Sequence, residues 1–268
     1  DLGYLPIEVR ALEEGTIVPM RVPVLSIRNT LPEFFWLTNY LETLISNLLW
    51  KPMTSATIAR AYKKVIVDWA KKTDPSNLAG TDFQGHDFSM RGMDSIEAAI
   101  SSGMGHMTSF SGGDTLPAIF GARKYYNEAK GTFILGGVPA TEHSVMCAGT
   151  KDDEIGTFRN LMNTFPNGFL SVVSDTWDLW KVLTQYLPEL KEEILGRDGK
   201  LVIRPDSGDP VDILCGYLDS RPVPTHPTMY ERHIAKRKGV IELLWDEFGG
   251  TVNDQGYKVL DPHVGAIY

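Results

Sequence analysis

The segment KLVIRPDSGDP, residues 200–210, decides the fold class. Its apolar run LVI is typical of a short buried strand, and the polar stretch after it is typical of a loop. Asp209-Pro210 then predicts a helix start, with an N-cap residue followed by proline at the first helical position. A strand, a loop and a helix in this order form one βα unit, from which parallel sheets are built.

The same unit recurs along the chain from Phe83 onward. The strand-and-loop segments before the other predicted helices are HDFSMRG, HMTSFSGGD, TFILGGVPATEH and FLSVVSDTWD, and HVGAIY at 263–268 predicts one more strand. Repeated βα units predict an α/β protein with a parallel sheet. With about six strands, both an incomplete (β/α) barrel and an open doubly wound sheet are compatible with this pattern.

The preceding residues have a different character. Alternating Val, Ile and Pro patches before residue 28 predict strands, and Thr30 to Glu33 has the form of a capping box. That box predicts a helix to about residue 49, and a second helix is predicted from Ser55 to Lys72, followed by a linker. We expect residues 1–75 to be part of a β-rich and helical second domain, and residues 76–268 to form the domain with the parallel sheet.

One segment interrupts the βα pattern. The proline-rich, basic stretch 220–239 shows no core periodicity and predicts a surface insertion. A charge run of this kind is most often a solvated surface.

Composition narrows the possible partners. The chain has 268 residues and a formal net charge of −8, which argues against nucleic acid, because phosphate backbones bind basic surfaces. Two cysteines without metal-ligand spacing favour a reduced, cytoplasmic protein, and no apolar run reaches the length of a membrane span. Because the chain begins at Asp1 and ends in a strand-like HVGAIY, we expect it to be part of a longer protein.

Chemistry-bearing side chains cluster in the predicted βα loops. In parallel α/β folds these loops share one edge of the sheet, where active sites form. The candidates are Phe88, Arg91, Asp114, Glu142, His143, Asp175, Asp178, Arg204, Asp206 and Asp209. Several have structural interpretations as well: Asp209 and Asp178 as helix-start residues, and Phe88 as a core residue. We expect His86 and His106 to be structural.

The loop after LVI carries the strongest local signal. An arginine at the end of a buried strand, here Arg204, is costly without an anionic partner. The glycine-containing loop leads to a helix N-terminus, which favours anions, and Asp206 is suited to ribose hydroxyls or magnesium. A phosphorylated sugar is therefore indicated. The sequence contains neither a Walker A motif nor a GxGxxG fingerprint, and no thiolate or multi-histidine metal pattern.

Five of these loops, in order and spacing, carry a family resemblance. HDFSMRG, SFSGGDT, VPATEHS, SVVSDTWD and LVIRPDSGDP closely resemble the nicotinamide phosphoribosyltransferases, a family of type II phosphoribosyltransferases. The segments before residue 50 resemble the part of these enzymes that precedes the barrel, and the resemblance covers nearly all of the chain except an insertion at about 216–250. It implies that residues 76–268 are a partial (β/α) barrel-like catalytic domain. The resemblance implies transfer of a phosphoribosyl group from 5-phosphoribosyl-1-pyrophosphate to nicotinamide, with Mg²⁺, in a cytoplasmic homodimer whose active site is shared between subunits.

The resemblance also implies individual roles. Phe88 would stack on the pyridine ring, Arg91 would lie near the ring and the pyrophosphate, and Asp114 would accept the carboxamide N–H. Arg204 and Asp206 would hold phosphate and ribose, and His143 would be phosphorylated by ATP. The same loops and strands contribute further residues to the predicted site: Asp178 as a catalytic residue, and Val138, Ala140, Ser174 and Val202 as substrate-binding residues. No protein metal ligand is predicted.

Some positions depart from the family pattern. Gly137 replaces a common serine, SMRG replaces a more usual GYRG, and Trp177 replaces tyrosine. The alternatives are a nicotinate or quinolinate enzyme of the same fold, a non-catalytic dimerising fragment, or a barrel enzyme acting on a sugar phosphate through Asp175, Asp178 and magnesium. The carboxylate that orients His143 stays open among Glu142, Asp175 and Asp178.

Overall fold

The computed structural model describes residues 2–218 and 223–268. It contains two compact units, Asp1–Lys71 with Pro75–Gly137, and Lys72–Asp74 with Val138–Tyr268. We call them the first and second units. The domain boundary near residue 75 stays a prediction, because the units are defined by internal packing alone. The architecture is mixed α/β with parallel strand pairs, as the repeated βα pattern predicts.

The first unit opens with a hairpin. Strand β1 (Ile7–Ala11) pairs antiparallel with β2 (Leu25–Asn29), which confirms the predicted strand pieces. The prediction of a capping box at Thr30 is wrong. The Thr30 amide donates to the Pro6 carbonyl and extends the hairpin, and a 3₁₀ helix over Pro32–Phe34 begins without a side-chain cap.

Helix α1 (Phe35–Thr73) is one continuous helix with Pro52 inside it, so the two predicted helices are wrong as separate elements. Ser55, in the turn after Pro52, donates to the Ser102 carbonyl of helix α2 (Ile96–Met107) at 2.7 Å. This contact supports α1 at the point where proline removes a backbone hydrogen bond. The helix exposes apolar residues in two runs at three- or four-residue spacing, which we call the apolar stripe of α1: Trp36, Tyr40, Leu44 and Leu48, then Ile58, Tyr62, Val65 and Trp69.

Two short parallel strands complete the first unit. Strand β3 (His86–Asp87) pairs with β4 (Gly112–Gly113), and Gly112 forms a further parallel bridge with Gly136. Helix α2 follows β3, and α3 (Pro117–Tyr125) follows β4. Both predicted βα units of this region are therefore confirmed.

The second unit contains the helices and strands from α4 and β5 onward. Its helices are α4 (His143–Ala148), α5 (Glu154–Thr164), α6 (Leu179–Lys181), α7 (Leu187–Glu189), α8 (Lys191–Leu195), α9 (Pro210–Cys215) and α10 (Pro227–Phe248). A π-helical turn at Val182–Tyr186 joins α6 to α7. Its strands are β5 (Asn167–Val173), β6 (Asp198–Arg204), β7 (Gly250–Val252), β8 (Lys258–Leu260) and β9 (Val264–Ala266).

A parallel sheet in the order β5-β6-β9 organises the second unit. In β5, Leu170, Val172 and Val173 are buried in the core of this unit. In β6, the alternate residues Leu201 and Ile203 are buried there. Ala140 bridges Ser171 in parallel at the β5 edge. Since Val173 pairs with Arg204, strands β5 and β6 end side by side and their loops start together.

Helix α10 changes the interpretation of the predicted insertion. Its residues Ala235, Val240, Leu244 and Phe248 belong to the buried core of the second unit. A purely solvated 220–239 segment is therefore wrong, although the basic side chains between residues 223 and 239 stay at least partly exposed. The start of the segment, up to residue 222, lies outside the described residues.

The structure also bears on the cysteines and on membrane-spanning segments. Cys147 and Cys215 are both free thiols. Among the helices of residues 2–218 and 223–268, none combines the length and the apolar character needed to span a membrane.

Candidate active site

Phe88 lies directly after β3 in the first unit. The residue is 38% exposed, and its ring packs on the His86 ring with centroids 4.6 Å apart. Phe88 lies between β3 and the 3₁₀ helix Ser89–Gly92, in the loop rather than in the core. The ring therefore presents an accessible aromatic face.

Asp114 shares the same histidine. Its Oδ1 lies 3.1 Å from His86 Nε2, and its side chain is 50% exposed. His86 thus contacts both Phe88 and Asp114, which brings two of the predicted base-binding residues together. An added Cβ at Gly137 would lie 2.4 Å from Asp114 Oδ1, so the missing side chain leaves room for this carboxylate.

His86 was predicted to be structural, and its contacts with Phe88 and Asp114 were not predicted. The strand period of two places His86 and Phe88 on one side of the chain, and this alternation is the signal that points to it. His106, in contrast, is structural as expected: its Nε2 lies 3.0 Å from the Gly112 carbonyl oxygen.

The loop after Phe88 is held by Asp87. This buried residue accepts a hydrogen bond from the Ser89 amide at 2.8 Å through Oδ1. The contact fixes the start of the 3₁₀ helix that carries Arg91 in its last turn. Arg91 itself is exposed.

In the second unit, residues 138–141 lie along the edge of β5. The Ser171 amide donates to the Pro139 carbonyl at 2.9 Å, and the Thr141 amide donates to the Ser171 carbonyl at 3.0 Å. The buried Thr141 hydroxyl oxygen accepts a hydrogen bond from the Val173 amide. These bonds fix the segment just before α4, which begins at His143. Val138 and Ala140 stay exposed on this segment.

His143 lies between two carboxylates. Its Nε2 is 3.4 Å from Asp175 Oδ1, and its Nδ1 is 3.9 Å from Asp206 Oδ2. The Asp175 side chain is 7% exposed, whereas that of His143 is 44% exposed. The structure therefore joins the loops after β5 and β6 to the start of α4, and Asp175 is the carboxylate beside the ring.

Asp175 is itself held by the neighbouring loop. Its Oδ2 accepts hydrogen bonds from the Asp206 amide, at 2.9 Å, and from the Ser207 hydroxyl. Ser207 was missed, because a DSG sequence is also an ordinary turn. Gly208 follows it with φ +103°, a conformation that favours glycine.

The β6 residues of the predicted site lie on one strand face. Val202 and Arg204 alternate with the buried Leu201 and Ile203 and are partly exposed. Arg204 Nη2 lies 3.4 Å from Asp206 Oδ1.

Ser174 is fully buried, and its hydroxyl donates to the Val172 carbonyl at 2.7 Å. It offers no surface to a ligand in this conformation, because the sheet end encloses it.

Asp178 and Asp209 both act as N-caps. Asp178 Oδ1 accepts from the amides of Trp180 and Lys181 at 3.1 and 3.3 Å, and its Oδ2 pairs with Arg232 of α10. Asp209 accepts from two amides at the start of α9, which confirms the predicted helix start. The Asp178 carboxylate is thus occupied by a helix start and an arginine, and Asp175 lies beside His143 instead.

Glu154 is a further buried acid in this unit. The side chain is 2% exposed, and its Oε1 has no hydrogen-bond partner. Burial raises the pKa of Glu154 to about 7, partly offset by Lys181 and reinforced by Asp178. In residues 2–218 and 223–268, no group of three or more His, Cys, Asp or Glu side chains is arranged to hold a metal ion.

Comparison with known proteins defines the class. The model of the nicotinate phosphoribosyltransferase (NAPRTase) family matches residues 83–268, which include every loop described above. The chain belongs to this family, and the predicted resemblance to phosphoribosyltransferases is confirmed.

The chain is also similar to individual curated proteins, which carry the name nicotinamide phosphoribosyltransferase. The chain is 50% identical to the nicotinamide phosphoribosyltransferase of Acinetobacter baylyi, covering 100% of this chain and 52% of that protein. It is 38% identical to the enzyme of the same name from Mycoplasma pneumoniae, covering 98% of this chain and 54% of that protein. The Xanthomonas campestris protein of that name is 34% identical over 99% of this chain and 51% of its own length. The chain spans about half the length of these relatives.

Proposed function

We propose that the protein containing this chain transfers the phosphoribosyl group of 5-phosphoribosyl-1-pyrophosphate to nicotinamide. The products are nicotinamide mononucleotide and pyrophosphate, a pentosyl transfer that salvages the base for NAD synthesis. The observation that carries this proposal is the exposed Asp114 carboxylate, which contacts the same histidine ring as the exposed ring of Phe88. The names of the relatives support the same substrate.

Phe88 and Asp114 suit an aromatic amide. The Phe88 ring offers a stacking face, and offset stacking of aromatic rings is favourable beyond area burial. The Asp114 carboxylate accepts the carboxamide N–H and repels the carboxylate of nicotinate. Arg91 adds a cation in the same loop, suited to the pyrophosphate. The transition state requires positioning and charge stabilisation rather than strong general-acid chemistry.

The second unit suits the sugar phosphate. Arg204 supplies a positive charge at the end of β6, and Asp206 has an exposed carboxylate suited to ribose hydroxyls. We propose that the backbone of Val138 and Ala140, together with Val202, shapes this side, with Ser174 supporting the sheet end.

Magnesium fits as a substrate-borne ion. Mg²⁺ commonly takes one or two protein carboxylates and completes its shell with water and substrate phosphates, so a dedicated protein cage is not needed. Asp206 is the candidate protein ligand. When bound, the ion neutralises the pyrophosphate charge as that group departs.

We further propose that ATP phosphorylates His143 and that Asp175 orients the ring. A phosphoryl acceptor needs one imidazole nitrogen unprotonated and the other N–H held by a partner. Asp175 Oδ1, 3.4 Å from Nε2, favours a proton on Nε2. Nδ1 then forms the new bond to the γ-phosphorus of ATP, the bond from that phosphorus to the β,γ-bridging oxygen breaks, and ADP leaves with the bond electrons.

The proposal extends to assembly and architecture. We propose a cytoplasmic homodimer with a (β/α) barrel that the remainder of the longer protein completes. The exposed apolar stripe of α1 supplies a surface of the kind that dimers and neighbouring domains cover. Sedimentation of the full-length protein at several concentrations tests the dimer, and a monomer at every concentration contradicts it.

Product analysis of the full-length protein tests the activity. The protein is incubated with nicotinamide, 5-phosphoribosyl-1-pyrophosphate and Mg²⁺, with and without ATP, and nicotinamide mononucleotide is quantified. The expected result is product in both cases and more with ATP. Turnover of nicotinate instead supports the second candidate, which the family name favours. No product from either base supports a non-catalytic role.

A further inference from the structure

The loops after β5 and β6 are joined by hydrogen bonds to a single carboxylate, that of Asp175. Asp175 follows β5, and Asp206 and Ser207 follow β6. Their starting points, Val173 and Arg204, are register partners in the parallel sheet. The Ser207 hydroxyl crosses from one loop to the other and donates to Asp175 Oδ2.

The two oxygens of Asp175 have different environments. Oδ2 accepts from the Ser207 hydroxyl and from the Asp206 amide at 2.9 Å. Oδ1 is buried, has no hydrogen bond, and lies 3.4 Å from His143 Nε2. A buried carboxylate oxygen without a donor is unfavourable, so a small approach of the imidazole N–H gains a charge-assisted bond.

These two hydrogen bonds fix the orientation of the Asp175 carboxylate. With one oxygen held by two donors from the β6 loop, the other oxygen stays directed at His143, and rotation to intermediate angles would break both bonds. One donor is the backbone amide of residue 206, which every residue except proline provides. The other is the Ser207 hydroxyl, which depends on the side chain alone.

We propose that Ser207 is a positioning residue for His143. Acting through Asp175, its hydroxyl holds the imidazole proton on Nε2 and leaves Nδ1 free for the phosphoryl group. Because Ser207 is adjacent to Asp206, which lies 3.9 Å from His143 Nδ1, the turn that would hold ribose also sets the histidine orientation. The effect on phosphorylation of His143 rests on the proposed function. The effect on the tautomer does not, because the tautomer is a property of the protein without substrates.

The first test observes the tautomer without catalysis. The full-length protein is labelled with ¹³C,¹⁵N-histidine, and the His143 signals are assigned by their loss in His143→Gln. We expect the unmodified protein to carry the proton on Nε2, Ser207→Ala to shift signals toward the Nδ1–H form, and Ser207→Thr to restore them. Thr164→Ala removes a hydroxyl that bonds only the Asn160 carbonyl and serves as the matched control.

The second test measures the consequence. Transfer of ³²P from γ-labelled ATP to histidine should slow about tenfold in Ser207→Ala, the effect of losing one hydrogen bond to a charged group. Ser207→Thr should recover most of the rate, and KM for nicotinamide should change less than about twofold in all variants.

The outcomes separate the two ideas. An unchanged His143 tautomer in Ser207→Ala overturns the positioning role, as does a phosphorylation rate equal to that of the unmodified protein. Equal loss in Ser207→Ala and Ser207→Thr also overturns it, because the hydroxyl would then be irrelevant. Failure of the unmodified protein to make nicotinamide mononucleotide contradicts the proposed function, while the tautomer comparison still decides the role of Ser207.

Discussion

Asp114→Asn is the substitution that most directly probes base selection. The change removes one negative charge, keeps the side-chain size and retains an oxygen able to accept from His86 Nε2, 3.1 Å from the present Oδ1. Because asparagine accepts an amide N–H less strongly and no longer repels a carboxylate, we expect discrimination between nicotinamide and nicotinate to weaken.

The size of the effect follows from exposure. Two unit charges about 4 Å apart repel by about 1 kcal/mol in water and by about 4 kcal/mol at an effective dielectric constant of about 20. The Asp114 side chain is 50% exposed, which puts the repulsion of nicotinate between these limits, at about 2 kcal/mol. A charged rather than neutral acceptor adds about 1 kcal/mol to amide binding. The sum of about 3 kcal/mol corresponds to a factor of about a hundred.

The assay compares kcat/KM for nicotinamide and nicotinate in the full-length enzyme. The ratio should fall about a hundredfold in Asp114→Asn, from a loss with the amide and a gain with the acid. Asp68→Asn, the same change at an exposed position of α1, is the matched control and should leave the ratio unchanged. A ratio within about threefold of the unmodified enzyme would refute the role of Asp114 in facing the base.

Three further substitutions test other parts of the structure. Phe88→Leu removes the stacking face, so KM for nicotinamide, measured from initial rates, should rise about fivefold to tenfold. Burial raises the pKa of Glu154 from 4.5 to about 7, so the folded state keeps a proton that the unfolded state has released. Stability then falls as pH rises from about 4.5 to 7, and Glu154→Gln should flatten this part of the melting-temperature profile. Arg232→Ala removes a partly exposed ion pair to Asp178 and should lower the free energy of unfolding by about 0.5–1 kcal/mol in denaturant titrations.

Each of these predictions has its own control. A KM that rises equally for nicotinamide and 5-phosphoribosyl-1-pyrophosphate in Phe88→Leu would argue for a structural rather than a stacking role. Glu192→Gln, at an exposed acid of α8, should leave the pH profile as it is, and a Glu154→Gln profile parallel to that of the unmodified protein contradicts the buried-acid assignment. Arg232→Lys keeps the charge, so it should lose less stability than Arg232→Ala.

Local patterns predicted several elements well, because they depend on near neighbours in the chain. Asp209-Pro210 predicts the start of α9, and the apolar run LVI predicts the strand β6. Local signals were misleading where a distant segment competed for the same group. Thr30 has cap chemistry, yet its amide continues the hairpin to Pro6, so the helix begins further on.

Proline and charge patterns were misleading for a related reason. Pro52 predicts a helix break, but packing of α2 beside it lets α1 continue. The basic character of 220–239 predicts a solvated segment, whereas Ala235 contributes to the core because one face of α10 packs there. In both cases tertiary packing outweighs a local preference of a few kcal/mol.

The sequence by itself determined most of the βα order, the acidic character that disfavours nucleic acid, and the set of polar residues at the strand ends. The strand predicted in TFILGG is wrong, because this segment forms only isolated bridges before α4. Only the tertiary structure decided how those residues pair. Glu142, Asp175 and Asp178 are equivalent carboxylates in the sequence, but Asp178 caps a helix and pairs with Arg232, while Asp175 lies beside His143 and is held by Ser207. The physical reason is that a hydrogen bond between two loops forms only when the strands before them pair in the right register. That register depends on residues that are far apart in the chain.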